Sequence, residues 1–318
     1  MPVVWRTSVW LGATGSRPRG RIALGSCNRE DLPQPLWDPI LATAPDLWVW
    51  LGDNVYADSE DSAVLRASYA EQLGNPGYRR LIDSVPVIGT WDDHDYGAND
   101  AGKEYPTRAE SQQILLDFLG EPADTSRRRQ QGVYASYTFG DPPRRLKVIL
   151  LDARFHRDAP GPDADTLGEV QWVWLERQLG DSDAQVHLIA SGYQFLPEDH
   201  PFEKWANFPK ARRRLLNLIG ETGAPGVVLL SGDRHLAEIS RIEDPALSSP
   251  LYELTTSGLT HSWADHPGEP SRHRLGDLYT QLNFGVIEVA WGHPRIEVTL
   301  QIRAADGSVV NDQRIFVR

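Results

Sequence analysis

The sequence predicts an α/β fold, and three observations carry that prediction. Short apolar runs without alternation recur along the chain and stop abruptly at polar residues. Segments with helical periodicity lie between them. The last part of the chain changes character, to strand-like segments separated by turns.

Six runs make the strand series. Arg21–Gly25 stops at Ser26-Cys27-Asn28, Leu47–Leu51 at Gly52-Asp53-Asn54, and Val85–Thr90 at Trp91-Asp92-Asp93-His94-Asp95. Leu146–Leu151 stops at Asp152-Ala153-Arg154, Val186–Ala190 at Ser191-Gly192-Tyr193-Gln194, and Val227–Leu230 at Ser231-Gly232-Asp233-Arg234-His235. Runs this short, apolar on successive residues, read as strands buried on both faces. Helical patterns fall at Pro35–Ala44, Ser62–Leu73, Ala109–Leu119, Leu167–Leu179 and Lys210–Ile219. In Leu167–Leu179 the apolar stripe reads as Val170, Val173, Trp174 and Leu175. Leu251–Thr255, Phe284–Ala290, Ile296–Ile302 and Val309–Val317 read as antiparallel strands, with a turn at Ala305-Asp306-Gly307. Sheets covered by helices follow, and without a clean linker residues 1–318 are expected to form a single domain.

Composition bounds the function. A net charge of -12 argues against a protein that grips a nucleic-acid backbone, which needs a basic face. It suits one that holds cations, since carboxylates gathered around metals look surplus when the metals are not counted. Cys27 is the only cysteine, so no internal disulfide forms. No apolar run is long enough to cross a bilayer. Met1–Arg21 lacks the pattern of a signal peptide, making a cytoplasmic location the default expectation.

Ligands of open α/β sheets bind beyond the carboxyl ends of the strands. Here those ends carry Cys27, Asn28, Asp53, Asp92, Asp93, His94, Asp95, Arg154, Gln194, Asp233 and His235. One polar strand end is an ordinary turn. Six in series gather carboxylates that repel one another unless cations or arginines compensate. Hard oxygens with histidine and one thiolate make a site for two or more metal ions.

These residues resemble the motif series of the alkaline phosphatase D (PhoD-like) family, a branch of the calcineurin-like metallophosphoesterases. The likeness rests on Gly52–Tyr56, Trp91–Asp95, Leu151–Arg154 and Ser231–His235, with Ser26–Asn28 and Glu253–His261 in support. It implies a four-layer α/β/β/α sandwich of two mixed sheets flanked by helices. It also implies a metal-dependent hydrolase of phosphate esters, a phosphodiesterase or alkaline phosphatase in which metal-activated hydroxide attacks phosphorus. Asp53 matches a metal-bridging aspartate, Tyr56 a phenolate ligand to Fe(III), and Cys27 an iron-ligating cysteine. Asp93, Asp233 and His235 match ligands of the metal pair, the second ion being Ca2+ or another divalent metal such as Zn2+ or Mn2+. His94 matches the histidine that hydrogen-bonds or protonates the ester, held between Asp93 and Asp95. Arg154 and Asn28 would stabilise charge on the phosphoryl oxygens; the alternative for Arg154, and for Arg157, is neutralisation of nearby carboxylates. Asp92, Asp95, Asn99, Gln194, Arg234 and His261 are further candidates for substrate or secondary metal contacts, and His261 for a wall of the pocket. His266 and His273 fall in a polar loop and are expected to be solvated.

Other chemistries fit less well. Gly97–Glu104 satisfies most of a phosphate-binding Gly-x-x-x-x-Gly-Lys-[Ser/Thr] loop, but Glu104 replaces the hydroxyl that holds magnesium. No Gly-x-Ser-x-Gly elbow occurs. Cys27 among carboxylates would be a poor nucleophile, because its thiol pKa rises there. A non-catalytic metal-binding protein of the same fold is the remaining alternative, though a purely structural calcium site has no use for His94. The expected partner is a small-molecule phosphoester, with diesters favoured by resemblance: phospholipid head groups, nucleotidic polymers or teichoic-type polymers. Asp95–Arg108 and Phe195–Trp205 are the expected sources of selectivity.

Overall fold

The computed structural model of the protein describes residues 19–292 and 295–317. The stretch read for a signal peptide therefore lies almost wholly outside the described residues. In chain order the first half contains β1 (Arg19–Gly25), α1 (Trp37–Ala42), β2 (Leu47–Leu51), α2 (Ser62–Gly74), α3 (Pro76–Ile82) and β3 (Val87–Thr90). α4 (Asp93–Tyr96), α5 (Arg108–Phe118), β4 (Ala135–Phe139) and β5 (Leu146–Leu150) follow. Next come α6 (Glu169–Gly180), β6 (Val186–Ala190), α7 (Pro209–Thr222), β7 (Val227–Ser231) and β8 (Ala237–Ile242). The chain closes with β9 (Leu251–Thr256), β10 (Arg274–Tyr279), β11 (Asn283–Ala290), β12 (Ile296–Ala304) and β13 (Val309–Val317).

Two mixed sheets form, in the orders β13-β12-β11-β1-β2-β3 and β10-β8-β9-β7-β6-β5-β4. β1, β2 and β3 run parallel, as do β5, β6, β7 and β9; the flanking strands pair antiparallel. The apolar runs lack alternation because both faces are covered. Ile22, Leu24, Leu47, Val49 and Leu51 face the other sheet, where they meet Val148, Leu150, Leu188 and Leu230. Their neighbours Ala23, Trp48 and Trp50 point outward and pack against Trp37, Tyr69, Tyr78 and Phe118 of the helices. On the far side Ile149, Ile189 and Leu229 meet Trp172, Leu175 and Leu215. Three cores stacked in this way are the signature of four layers, and the predicted α/β/β/α sandwich is the one observed.

Several local expectations need correction. On α6, Val170 is 72% exposed and Val173 is also exposed, while Trp172, Leu175 and Leu179 are buried. Sequence spacing alone allowed either stripe; the packing of α6 against α7 and the sheet selects the one with the large indole inside. β9 is not wholly antiparallel, because it lies parallel to β7 and antiparallel to β8. β4 and β10 carry little apolar alternation and sit at the two ends of their sheet, where one edge stays open. β8 carries buried Glu238, a residue that reads as non-strand until its partners Gln194 and Arg274 are known.

Candidate metal centre

The carboxyl ends of β1, β2 and β3 meet those of β5, β6 and β7, so the polar turns of both sheets converge. Close approach requires glycine at two points. Gly52 holds φ +93°, and a Cβ there would lie 2.5 Å from the Asp92 Cβ; one on Gly192 would lie 2.2 Å from the Asp92 Oδ1. Cys27, Asp53, Asp233 and His235 themselves adopt the left-handed backbone, with φ of 57°, 48°, 70° and 54°. For residues with a Cβ this costs of order 1–3 kcal/mol each, and such strain concentrates at functional sites.

Asp53 belongs to three donor groups, one with Asp93 and His94 and two that frame the centre. In the first, the Cys27 thiol lies 3.2 Å from Asp53 Oδ2, as does the Tyr56 hydroxyl, and Tyr56 lies 3.0 Å from His235 Nε2. In the second, carboxylate oxygens of Asp53, Asp92, Asp93 and Asp233 lie within 4.8 Å of one another. Burial followed by the neighbouring Cys27 and carboxylates holds Asp53 well above the usual carboxylate range. Burial and Asp93 push Asp233 up to about 8. Burial pushes the Cys27 thiol up to about 11, which removes it as a free nucleophile. Burial and the adjacent His261 and His94 bring His235 down to about 3, keeping its imidazole neutral and able to donate a lone pair. The buried Asp92 Oδ2 has no hydrogen-bond partner among the described residues. Acceptors crowded so closely, with an oxygen left over, fit cations; a soft and phenolic set beside a hard-oxygen set fits two unlike ones.

Other predicted residues are placed differently. Arg154 is fully buried behind the site, with Nε donating to Asp92 Oδ1 at 2.6 Å and Nη2 to Glu203. Its guanidinium is thus consumed by carboxylates, which is the alternative the sequence left open; Arg157 pairs with Glu203 in the same way. The Asn28 amide donates to Asn54 O at 3.1 Å and Gln72 Oε1 at 2.8 Å, which removes its N–H groups from the phosphoryl role expected of them. Gln194 donates to Glu238 at 2.7 Å and to Thr255 at 3.0 Å. Asp95 turns inward: its oxygens accept from the backbone N–H groups of Asp53, Asn54 and Asp92 and from Tyr69 Oη, bracing the turns that present the ligands.

His94 is not held between Asp93 and Asp95. Its Nδ1 lies 2.7 Å from Asp58 Oδ1, and its ring stacks on Tyr56 at a centroid distance of 4.2 Å. Burial lowers its pKa, but the hydrogen bond to Asp58 and the field of Asp93 outweigh that and leave it raised. Asp58 went unnoticed in the sequence, although it lies in the same turn as Asp53 and Tyr56. His261 Nε2 sits 3.2 Å from His235 Nε2 and edge-on to Tyr56. His266 and His273 are not free in solvent: His266 packs on Trp263 and approaches Glu269 at 3.5 Å, and His273 approaches Glu198 at 3.3 Å.

A cleft of about 390 Å³ opens over this centre, lined by His94, Asn99, Asp100, Arg157, Phe202, Glu203, Asp233, Arg234, His235 and Trp263 among others. Asp93, Asp100 and Glu203 offer a further group of oxygens within 4.8 Å. Arg234 Nη2 donates to both carboxylate oxygens of Glu269, at 2.7 and 2.8 Å. No helix among the described residues is long and apolar enough to cross a membrane.

The fold has counterparts. Alkaline phosphatase D of Bacillus subtilis is 22% identical over 255 residues, covering 67% of this chain and 42% of the relative, so the chain spans less than half of that protein. The solved structure of PhoD superimposes with a TM-score of 0.76 at 18% identity, over 96% of this chain and 70% of that one. GAP50, the anchor in the inner membrane complex of Plasmodium, gives 0.62 at 13% identity over 94% and 89%. A dimetal phosphatase from Danio rerio gives 0.54 at 13% over 93% and 98%. At such identities these likenesses concern the fold. The PhoD-like phosphatase family model, however, matches residues 22–277, most of the chain, and the chain therefore belongs to the PhoD-like phosphatase family.

Proposed function

We propose that the protein is a metal-dependent phosphoester hydrolase acting on phosphodiesters, phosphomonoesters or both. The observation that carries this reading is Asp53, shared between a thiol–phenol–imidazole set and a carboxylate set at the floor of an open cleft. Cys27, Tyr56, His235 and Asp53 would hold Fe(III); Asp53, Asp92, Asp93 and Asp233 would hold Ca2+ or another divalent ion. Bound there, the ions would supply Lewis acidity toward the phosphoryl oxygens and a nucleophile at neutral pH. The chain's own residues do the rest. His94 faces the cleft, with Asp58 fixing its ring and favouring the protonated form, and it donates a proton or hydrogen bond to the leaving oxygen. Arg154 orients Asp92 and, with its positive charge beside Asp93, helps hold that carboxyl below the usual carboxylate range despite burial, rather than touching substrate. The three cores share two sheets, which supports one domain across the described residues.

The fold also serves a protein described as an anchor, so fold alone does not decide catalysis. His94 favours the enzyme, since a histidine paired with a carboxylate has no part in holding a structural calcium. The test is nitrophenol release from mono- and bis-nitrophenyl phosphate by metal-replete protein, with and without chelator. Chelator-sensitive release of either is expected; no release from either ester would overturn the proposal and leave a metal-binding protein.

A further inference from the structure

We infer that the rim of the cleft is a stacking subsite for a planar aromatic group on the substrate, of the nucleoside class. The inference rests on the reading of the cleft floor as a phosphoester site. Phe202 and Trp263 belong to loops far apart in sequence, yet their rings meet at 5.3 Å and 76°. Both line the cleft, and they remain 38% and 39% exposed. Trp263 is the one exposed tryptophan among the described residues. Indole and phenyl rings left uncovered at a cleft mouth lose burial that a flat ligand would restore.

The rings are held in place. Glu253 accepts the backbone N–H groups of Phe195 and Leu196 at 2.9 and 2.7 Å, anchoring the loop that carries Phe202. Phe202 lies over the Arg234 guanidinium at 4.4 Å. The Trp263 backbone N–H donates to His235 O at 2.8 Å, tying the loop that carries the ring to the floor of the cleft. Prepositioned rings lose little entropy when a ligand arrives.

Charge distinguishes the rim from the floor. Arg234 is neutralised by Glu269, and Arg157 by Glu203, so the rim offers no unpaired cation for a second phosphate. Its other apolar lining is Pro160 and Pro201, with no aliphatic side chain for an acyl chain to lie on. Asn99 is exposed at the same mouth and supplies both an amide donor and an acceptor for the edge of a base. An uncharged ring with hydrogen-bonding edges meets all of these conditions.

The test is calorimetric binding of adenosine 5'-monophosphate, ribose 5-phosphate and inorganic phosphate to metal-replete protein, which does not depend on turnover. Wild type should bind the nucleotide about tenfold more tightly than ribose 5-phosphate, the order that base–aromatic stacking supplies. In Trp263→Ala the preference should fall to within about twofold, while Trp263→Tyr keeps it and the affinity for inorganic phosphate stays unchanged in both. Equal affinities in wild type, absence of nucleotide binding, or a preference that survives Trp263→Ala would each overturn the inference. Hydrolysis of nitrophenyl esters without any base preference would sink this subsite alone. A Trp263-dependent preference in a protein without turnover would sink only the hydrolase reading.

Discussion

Cys27 Sγ lies 3.2 Å from Asp53 Oδ2, and both residues hold left-handed backbone conformations. A thiol pushed up to about 11 and a carboxyl held well above its usual range share that contact. The thiol carries its proton at neutral pH until a cation replaces it. Loading iron or a divalent ion at pH 7 should therefore release protons, measurable as a buffer-dependent binding enthalpy. Cys27→Ser should reduce the release by about one proton and weaken iron binding most. A release of zero in wild type would contradict the protonated, ion-free centre.

The stability of the metal-free protein should fall as pH rises from about 6.5 to 8. Asp233 sits at about 8 and Asp95 and Glu253 at about 7, all raised chiefly by burial. A carboxyl raised in the folded state binds more protons there than when unfolded, so its stabilisation is lost as pH climbs through the folded value. Each such group contributes roughly 1 kcal/mol per pH unit while it stays protonated. Below about 6.5 the depressed histidines oppose the trend: His235 near 3 and His261 near 4 must stay neutral while the unfolded chain charges them. Thermal midpoints in chelator at half-unit intervals check this, and metal-replete protein should show a flatter profile.

If iron occupies the Cys27 side, the Tyr56 phenolate should give a visible charge-transfer band. Tyr56→Phe should abolish the band and leave the fold intact, since its hydroxyl bonds Asp53, His235 and Cys27, all within the centre itself. A colourless, iron-free protein with full activity would show that another metal fills the position.

Asp58→Asn should lower kcat by about tenfold to a hundredfold, the usual cost of losing a carboxylate behind a working histidine. The carboxylate of Asp58 helps hold His94 above its ordinary pKa, so neutralising it lowers that pKa. An acid lost at lower pH moves the alkaline limb of the rate profile downward. An unmoved limb would exclude His94 as the proton donor.

Arg154→Met should cost about 3–5 kcal/mol of stability, because Asp92 and Glu203 would lose a buried partner. Denaturant midpoints measure this. Unchanged stability with a raised KM would instead return Arg154 to the substrate-binding role.

The strand series was legible because a run buried on both faces leaves an unbroken apolar stretch, as in Leu47–Leu51. Its polar ends were legible because a strand that stops at Gly-Asp or Asp-Asp has little other reason to do so. β4, β8 and β10 escaped notice, since a half-exposed edge strand or one carrying buried Glu238 lacks that stretch. The stripe on α6 was misjudged because five apolar residues in the six from Val170 to Leu175 allow two faces.

By itself the sequence determined which residues stand at the strand ends, and so the chemical character of the centre: one thiol, one phenol, imidazoles and an excess of carboxylates. The tertiary structure decided which of them face one another. Asp53 became the shared residue, Asp58 rather than Asp95 took His94, and Arg154 turned inward to Asp92 and Glu203. The reason is geometric. Side-chain type is written in the chain, but a turn at positive φ, a glycine that admits Asp92 and the stacking of two sheets fix directions that no local spacing encodes.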